Sequence, residues 1–152
     1  LVCNHRSAMD PLLTMGVLRE YNTGFVAKKA IYKVPVIRRL MHRCFCPRLD
    51  KEDMKSQAKT IIRASKLIKT QEASIGIYPE GTRNKTKDLL LPFKFGAVSM
   101  ANKTDSYLVP FGISGEYKFR SKNLVVEFGK PFKVPNDMDL GVANEKLFKT
   151  IS

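Results

Sequence analysis

The sequence predicts an α/β fold: a single domain with a mostly parallel or mixed central sheet flanked by helices. Strand-like and helix-like stretches alternate along the whole chain. The clearest, Asp53 to Thr70, keeps a helical period between two β-type runs. At 152 residues, 43% hydrophobic and 27% charged, the chain can build one real core and is too apolar for a disordered segment. No apolar run reaches the roughly 18 residues of a membrane-spanning helix. Leu1, not Met, stands first, already inside an apolar lead-in to a motif. The stretch 1–152 is therefore expected to be one domain whose upstream N-terminal segment is missing.

Taken in order, Leu1 to Cys3 is a short apolar run that ends a strand. Pro11 to Tyr21 carries Leu12, Leu13, Met15, Val17 and Leu18, a helix with Pro11 in its first turn. Gly24 to Ala27 reads as a strand. Ile31 to Met41 is apolar and basic and is interrupted by Pro35. Cys44 to Leu49 is a further short strand. Within Asp53 to Thr70, Met54, Ala58, Ile61, Ser65 and Ile68 recur at spacings of four and three, which predicts one buried stripe. Lys55, Lys59, Arg63 and Lys66 occupy the opposite side. Ala73 to Tyr78 is a β-type run that stops at Pro79, and Asn84 to Leu91 is a loop. Phe93 to Asn102 is a helix with Gly96 as its weak point. Leu108 to Ile113 and Leu124 to Phe128 are strands, and Pro110 implies an edge or a bulge in the first. Asp139 to Ile151 is the last helix.

Charge is concentrated. The formal net charge is +13, and Lys28 to Lys69 alone holds thirteen Lys/Arg against three Asp/Glu. Such a field attracts phosphates on nucleic acid, anionic lipid or a small substrate. Val34, Val36, Ile37, Leu40 and Met41, among Arg38 and Arg39, fit a membrane interface or a core-facing helix with basic edges. Zinc-finger spacing, an RNP-like aromatic block and an arginine-rich tail are lacking, so no nucleic-acid partner is expected, although the charge permits a non-catalytic basic nucleic-acid- or membrane-binding module as the alternative class.

The cysteines are Cys3, Cys44 and Cys46, an odd, small number that suits a reducing compartment better than a disulfide scaffold. His42, Cys44 and Cys46 alternate and would share one face of a strand. Without a CxxC pair or a second ligand cluster they read as buried thiols, and no metal is expected. Asn84-Lys-Thr86 and Asn102-Lys-Thr104 match the glycosylation pattern only by chance on this reading.

Two stretches carry chemistry. In "NHRSAMD", His5 and Asp10 are five positions apart, too far for one helical face. They meet if His5 lies in the turn before a helix and Asp10 in its first turn, pointing back. Asp10 then holds one imidazole nitrogen and leaves the other to accept a proton, the base-and-orienter half of a hydrolase triad. Alternatively, Asp10 before Pro11 is an N-cap, and Ser7 to Asp10 has capping-box spacing. In "YPEGTRN", a strand ends at Pro79. Gly81 permits a tight turn, Thr82 offers a hydroxyl, and Arg83 a planar fork suited to phosphate. Glu80 is out of place in an anion site unless it orients Arg83 or a substrate hydroxyl.

Asn4-His5-x-Ser7-x-x-Asp10, followed some seventy residues later by Tyr78-Pro-Glu80-Gly81-Thr82-Arg83, resembles the glycerolipid acyltransferase family. Phe25 to Lys29, Leu91 to Ala97 and Leu108 to Gly115 are similar to further family segments, so the likeness covers nearly the whole chain. Arg48 to Lys51 departs from the family's pattern, with Lys51 where an arginine is usual. Lysine keeps the charge but loses the bidentate fork.

The resemblance implies direct acyl transfer. His5, oriented by Asp10, takes the proton of a glycerol hydroxyl as that oxygen attacks an acyl thioester. The acceptor alcohol is itself the nucleophile, which agrees with the missing G-x-S-x-G elbow. The expected acceptor is 1-acylglycerol-3-phosphate (lysophosphatidic acid), giving phosphatidic acid; glycerol 3-phosphate and other lysophospholipids remain open. Acyl-CoA or acyl-carrier protein is the donor substrate, and no cofactor is expected. Glu80, Gly81, Thr82, Arg83, Lys51, Arg48 and Pro110 are the substrate-binding candidates. The basic stretch would hold the domain on an anionic membrane surface, on the cytoplasmic face.

Overall fold

The computed structural model describes residues 1–50, 52–115, 117 and 123–152. The elements alternate as the α/β reading requires, and the sheet pairing is mixed. Two compact units form: Leu1–Thr14 with Ile77–Ser152, and Met15–Gly76.

In the first unit, β1 (Val2–Cys3) pairs in parallel with β6 (Pro110–Ser114), and β6 pairs antiparallel with β7 (Val125–Phe128). Ile77 adds a parallel bridge to Val2. α4 (Gly96–Thr104) and α5 (Leu140–Ile151) cover this sheet with a core of Val2, Val98, Leu108, Val134, Ala143 and Leu147. Asp139 caps α5 by accepting the N–H groups of Gly141 and Val142, the usual service of an N-cap carboxylate.

Pro110 corrects one expectation. It lies neither on an edge strand nor at a bulge, but opens β6, which has a neighbour on each side. On the β1 side, Val2 donates to Val109 C=O, so no bond from position 110 is called for. On the β7 side, Pro110 C=O accepts from Gly129 at 2.9 Å. The return bond that proline cannot donate falls at the ladder's end, where its loss interrupts nothing.

In the second unit, β2 (Thr23–Phe25) pairs in parallel with β5 (Ser74–Gly76), and β3 (Ala27–Lys28) with β4 (Arg48–Leu49). The predicted strand at Gly24 to Ala27 is thus two: Val26 N–H bonds Gly76 C=O, and Ala27 N–H bonds Pro47 C=O. A 3-10 helix (Lys29–Lys33) leads to α2 (Pro35–Arg43), with Pro35 in its first turn. Cys44 to Leu49 is mostly not strand: Cys44 caps α2 and only Arg48–Leu49 is extended. His42 is helical, so the alternating His-Cys-Cys face does not form. Cys46 is buried and accepts the Phe25 N–H at 3.3 Å.

α3 (Met54–Lys69) starts at the Asp53 cap as its pattern suggests, but it buries a different face. Met54 is 83% exposed and Ile61 40%, while Thr60 and Ala64 are buried. The Thr60 hydroxyl reaches Arg48 C=O at 2.5 Å and Ser56 C=O at 2.8 Å. Hydrogen bonding allows a polar side chain to take the inward position, and the apolar spacing alone could not reveal it.

Candidate active site

α1 (Asp10–Val17) follows β1 after a short turn. Its first helical bond runs from Leu13 N–H to Met9 C=O at 2.9 Å. Asp10 is therefore inside the helix, and its side chain does not cap the helix's own free N–H groups. It points backward instead. Oδ2 accepts the N–H groups of Arg6 and Ser7, both at 2.9 Å, and the His5 Nδ1–H at 2.9 Å. Tyr117 O–H donates to the other oxygen, Oδ1. The carboxylate is completely buried and His5 is 18% exposed. Burial pushes the Asp10 carboxyl up, but the hydrogen bonds from His5, Tyr117, Ser7 and Arg6 outweigh it and leave it below the ordinary carboxylate value.

An ionised carboxylate only accepts hydrogen bonds, so His5 Nδ1 must carry the proton toward Asp10. Nε2 is left as the basic nitrogen, and no described residue bonds it. The ring lies flat on Tyr78, with centroids 4.1 Å apart and planes 19° apart. These contacts fix the imidazole in one orientation.

The backbone of His5 is held just as firmly. Its N–H donates to Glu80 Oε1 at 2.8 Å, and its C=O accepts from Asn84 N–H at 2.6 Å. The loop from Glu80 to Asn84 is thus clasped to His5 at both ends. Glu80 Oε2 accepts Leu91 N–H at 2.9 Å. With both oxygens on main-chain donors, and only 4% exposed, Glu80 is a strut of the loop and presents no surface to a substrate. Gly81 adopts φ +70° in the turn that closes on Tyr78 C=O, a conformation that favours glycine. A Cβ there would approach the Lys94 side chain to 3.2 Å. Thr82 and Arg83 are exposed at the loop's tip, and Arg83 has no ion-pair partner among the described residues.

Asn4 was not among the expected site residues. Its amide accepts Ile113 N–H at 3.0 Å and donates to Ile113 C=O at 3.2 Å, tying the chain before His5 to β6. Tyr117 and Tyr78 were also missed. An isolated tyrosine 107 residues from Asp10 offers no spacing signal. Asn84 is buried; it donates to Asp88 C=O at 2.9 Å and accepts Thr86 N–H at 2.9 Å, an Asx turn rather than an exposed glycosylation site.

Pro110 is fully buried, which leaves no side-chain surface for a ligand. Arg48 is exposed in β4 of the second unit, and Lys51 lies outside the described residues. Lys29 pairs with Asp50 at 2.8 Å. Cys3, the thiol behind the site, is buried and donates to Asn4. Burial, then the charges of Asp10 and Glu80, push it well up, so it is no nucleophile.

Comparison with known proteins bears on this geometry. The family model described as Acyltransferase matches residues 1–114. The 1-acyl-sn-glycerol-3-phosphate acyltransferase of Cocos nucifera is 32% identical over 122 residues, covering 80% of this chain and 39% of that protein. The protein of the same name from Borreliella burgdorferi is 30% identical over 128 residues, 83% of this chain and 49% of its own. The chloroplastic one of Brassica napus is 35% identical over 117 residues, 77% and 33% respectively. The chain thus spans less than half the length of these relatives. The crystal structure of the 1-acyl-sn-glycerophosphate (LPA) acyltransferase from Thermotoga maritima matches 99% of this chain and 61% of that one, with a TM-score of 0.79 at 21% identity. At that identity the likeness speaks for the fold.

Proposed function

Since this chain belongs to the Acyltransferase family, we propose that the protein transfers an acyl group from a thioester to the free hydroxyl of 1-acylglycerol-3-phosphate, giving phosphatidic acid. The carrying observation is the buried Asp10 carboxylate that holds His5 Nδ1 at 2.9 Å and so leaves Nε2 as a base.

His5 Nε2 takes the hydroxyl proton as the oxygen attacks the thioester carbonyl. The resulting tetrahedral intermediate collapses with cleavage of the C–S bond. The proton returns from Nε2 to the leaving thiolate, so no proton is gained or lost overall. Asp10 stabilises the imidazolium between the two transfers. The Glu80–Asn84 loop, bonded to the His5 main chain at Glu80 and Asn84, carries exposed Arg83, whose planar fork would take the acceptor's phosphate. Binding energy at the phosphate then positions the hydroxyl. Acyl-CoA or acyl-carrier protein is the donor.

The membrane is the expected source of acceptor. α2 buries none of its residues; Val36 is 80% exposed beside Arg38 and Arg39. A short helix of that kind suits an anionic lipid surface. No helix among the described residues is long and apolar enough to cross a membrane.

The test is thiol release from acyl-CoA by the complete protein, with lysophosphatidic acid or glycerol 3-phosphate as acceptor. His5→Ala should lose about 10²–10⁴-fold in turnover while still binding the acceptor. Undiminished turnover in that variant would remove the base from the mechanism. Preference for glycerol 3-phosphate would replace the acceptor.

A further inference from the structure

We propose that Tyr117 is a positioning residue for the His5–Asp10 pair, holding the Asp10 carboxylate through its second oxygen. The proposal rests on the acyl-transfer reading above. Three of the four donors to the Asp10 carboxylate among the described residues, from His5, Arg6 and Ser7, converge on Oδ2. Oδ1 has one donor among the described residues, the Tyr117 hydroxyl. The other three come from residues 5 to 7, adjacent in sequence to Asp10. Among the described residues, Tyr117 is the one contact that ties the carboxylate to a distant part of the chain.

Its physical effect has two parts. A carboxylate gripped on one oxygen still swings about its Cβ–Cγ bond; a donor on the second oxygen fixes its plane. That plane aims the His5 Nδ1–H bond, and with it the direction in which Nε2 faces the acceptor hydroxyl. The hydroxyl also draws off carboxylate charge. Without it, Oδ1 is a buried acceptor with no described partner, and Asp10 pulls harder on the Nδ1 proton of His5. The imidazole then holds a proton to higher pH, where it is no base. Tyr117 itself stays protonated, since burial, the hydrogen bond to Asp10 and its charge all push the phenol upward. The other ionisable groups acting here are Cys3 and Arg6, whose charges bear on Tyr117, and Glu80, which with Asp10 bears on Cys3. None is altered by removing the hydroxyl alone.

The experiment compares complete wild-type protein with Tyr117→Phe, Asp10→Asn and the double variant. In thiol release with lysophosphatidic acid, Tyr117→Phe should lower kcat about tenfold, with KM for both substrates within about twofold. The acid limb of kcat/KM should move to higher pH. The double variant should be no slower than Asp10→Asn alone, because the tyrosine acts through the carboxylate. With 3-fluorotyrosine in place of Tyr117, a stronger donor of similar shape, the acid limb should move the other way. An unchanged kcat, an unmoved limb, or fully multiplicative losses in the double variant would overturn the proposal.

A second readout does not need turnover. The chain has two histidines, so imidazole nitrogen spectra can be assigned with His42→Gln. Tyr117→Phe should raise the His5 titration midpoint, and an unmoved midpoint counts against the proposal. If wild type releases no thiol with any donor, the acyl-transfer reading fails, while this arm still decides whether Tyr117 governs His5.

Discussion

Glu80 accepts the backbone N–H of His5 at 2.8 Å. The two sequence motifs, seventy-five positions apart, are thus joined through main chain as well as through any shared substrate. The same carboxylate takes Leu91 N–H at 2.9 Å. Glu80→Gln keeps the shape but turns an NH2 group toward one of those two donors. One buried N–H then loses its acceptor, at a cost of about 1–3 kcal/mol. We expect a lower denaturant midpoint by that amount, together with reduced turnover as the loop carrying Arg83 loosens from His5. A variant as stable as wild type would mean that the loop is held by other contacts.

Asp10 should also mark the acid stability of the protein. Its native carboxyl lies below the ordinary value, as the hydrogen bonds from His5, Tyr117, Ser7 and Arg6 exceed the opposing effect of burial. Folding therefore favours the ionised form. The resulting stability is fully present above about pH 4, the unfolded value of an aspartate, and is lost as pH falls through the native one. Asp10→Asn should be less stable at neutral pH and show a shallower fall in stability below about pH 4. Urea titrations at several pH values test this; parallel curves for the two proteins would contradict it.

Much of the fold was legible, and the exceptions share a cause. Alternating hydropathy located nearly every element, and the helices expected from Asp53 and Asp139 do start at those residues, which the structure shows to be their caps. The buried side of α3 was misread because Thr60 faces inward, satisfied by two carbonyls, while apolar Met54 and Ile61 face out. Pro110 implied an edge or a bulge because a strand interior cannot spare a donor, yet a strand's first residue can. At the site, His5 and Asp10 were readable as a pair because the turn between them is local. The struts, Glu80 on main-chain donors, Asn4 on Ile113 and Tyr117 on Asp10, depend on long-range folding that no spacing rule encodes.

Gly76 offers a test of packing in the second unit. It lies in β5 opposite Phe25 of β2, and a Cβ on it would come within 2.3 Å of the Phe25 ring. Phe25 is buried, 1% exposed, so it has nowhere to retreat without displacing neighbours. Gly76→Ala should destabilise by about 1–3 kcal/mol through overpacking, offset slightly by the loss of glycine's chain entropy in the unfolded state. Gly16→Ala, where nothing lies within 4 Å of the added carbon, is the control and should be neutral or mildly stabilising. Thermal melts of the two variants measure the difference, and equal melting points would deny the close approach.

α2 yields the last prediction. Its exposed apolar positions, Val36, Ile37 and Leu40, stand among Arg38, Arg39 and Arg43, and none of its residues is buried within its unit. That pattern suits partial insertion of Val36 and its neighbours below the headgroups, with the guanidiniums level with lipid phosphates. Each basic residue close to an anionic surface contributes about 1 kcal/mol, so Arg38→Glu with Arg39→Glu should weaken binding to vesicles rich in phosphatidic acid by at least about tenfold. Screening sharpens the test: raising salt should weaken wild-type binding far more than that of the double variant. Val36→Asp should weaken binding by a different route, through lost apolar burial, and so stay sensitive to salt. Equal binding of all three to anionic and neutral vesicles would take the membrane away from this helix.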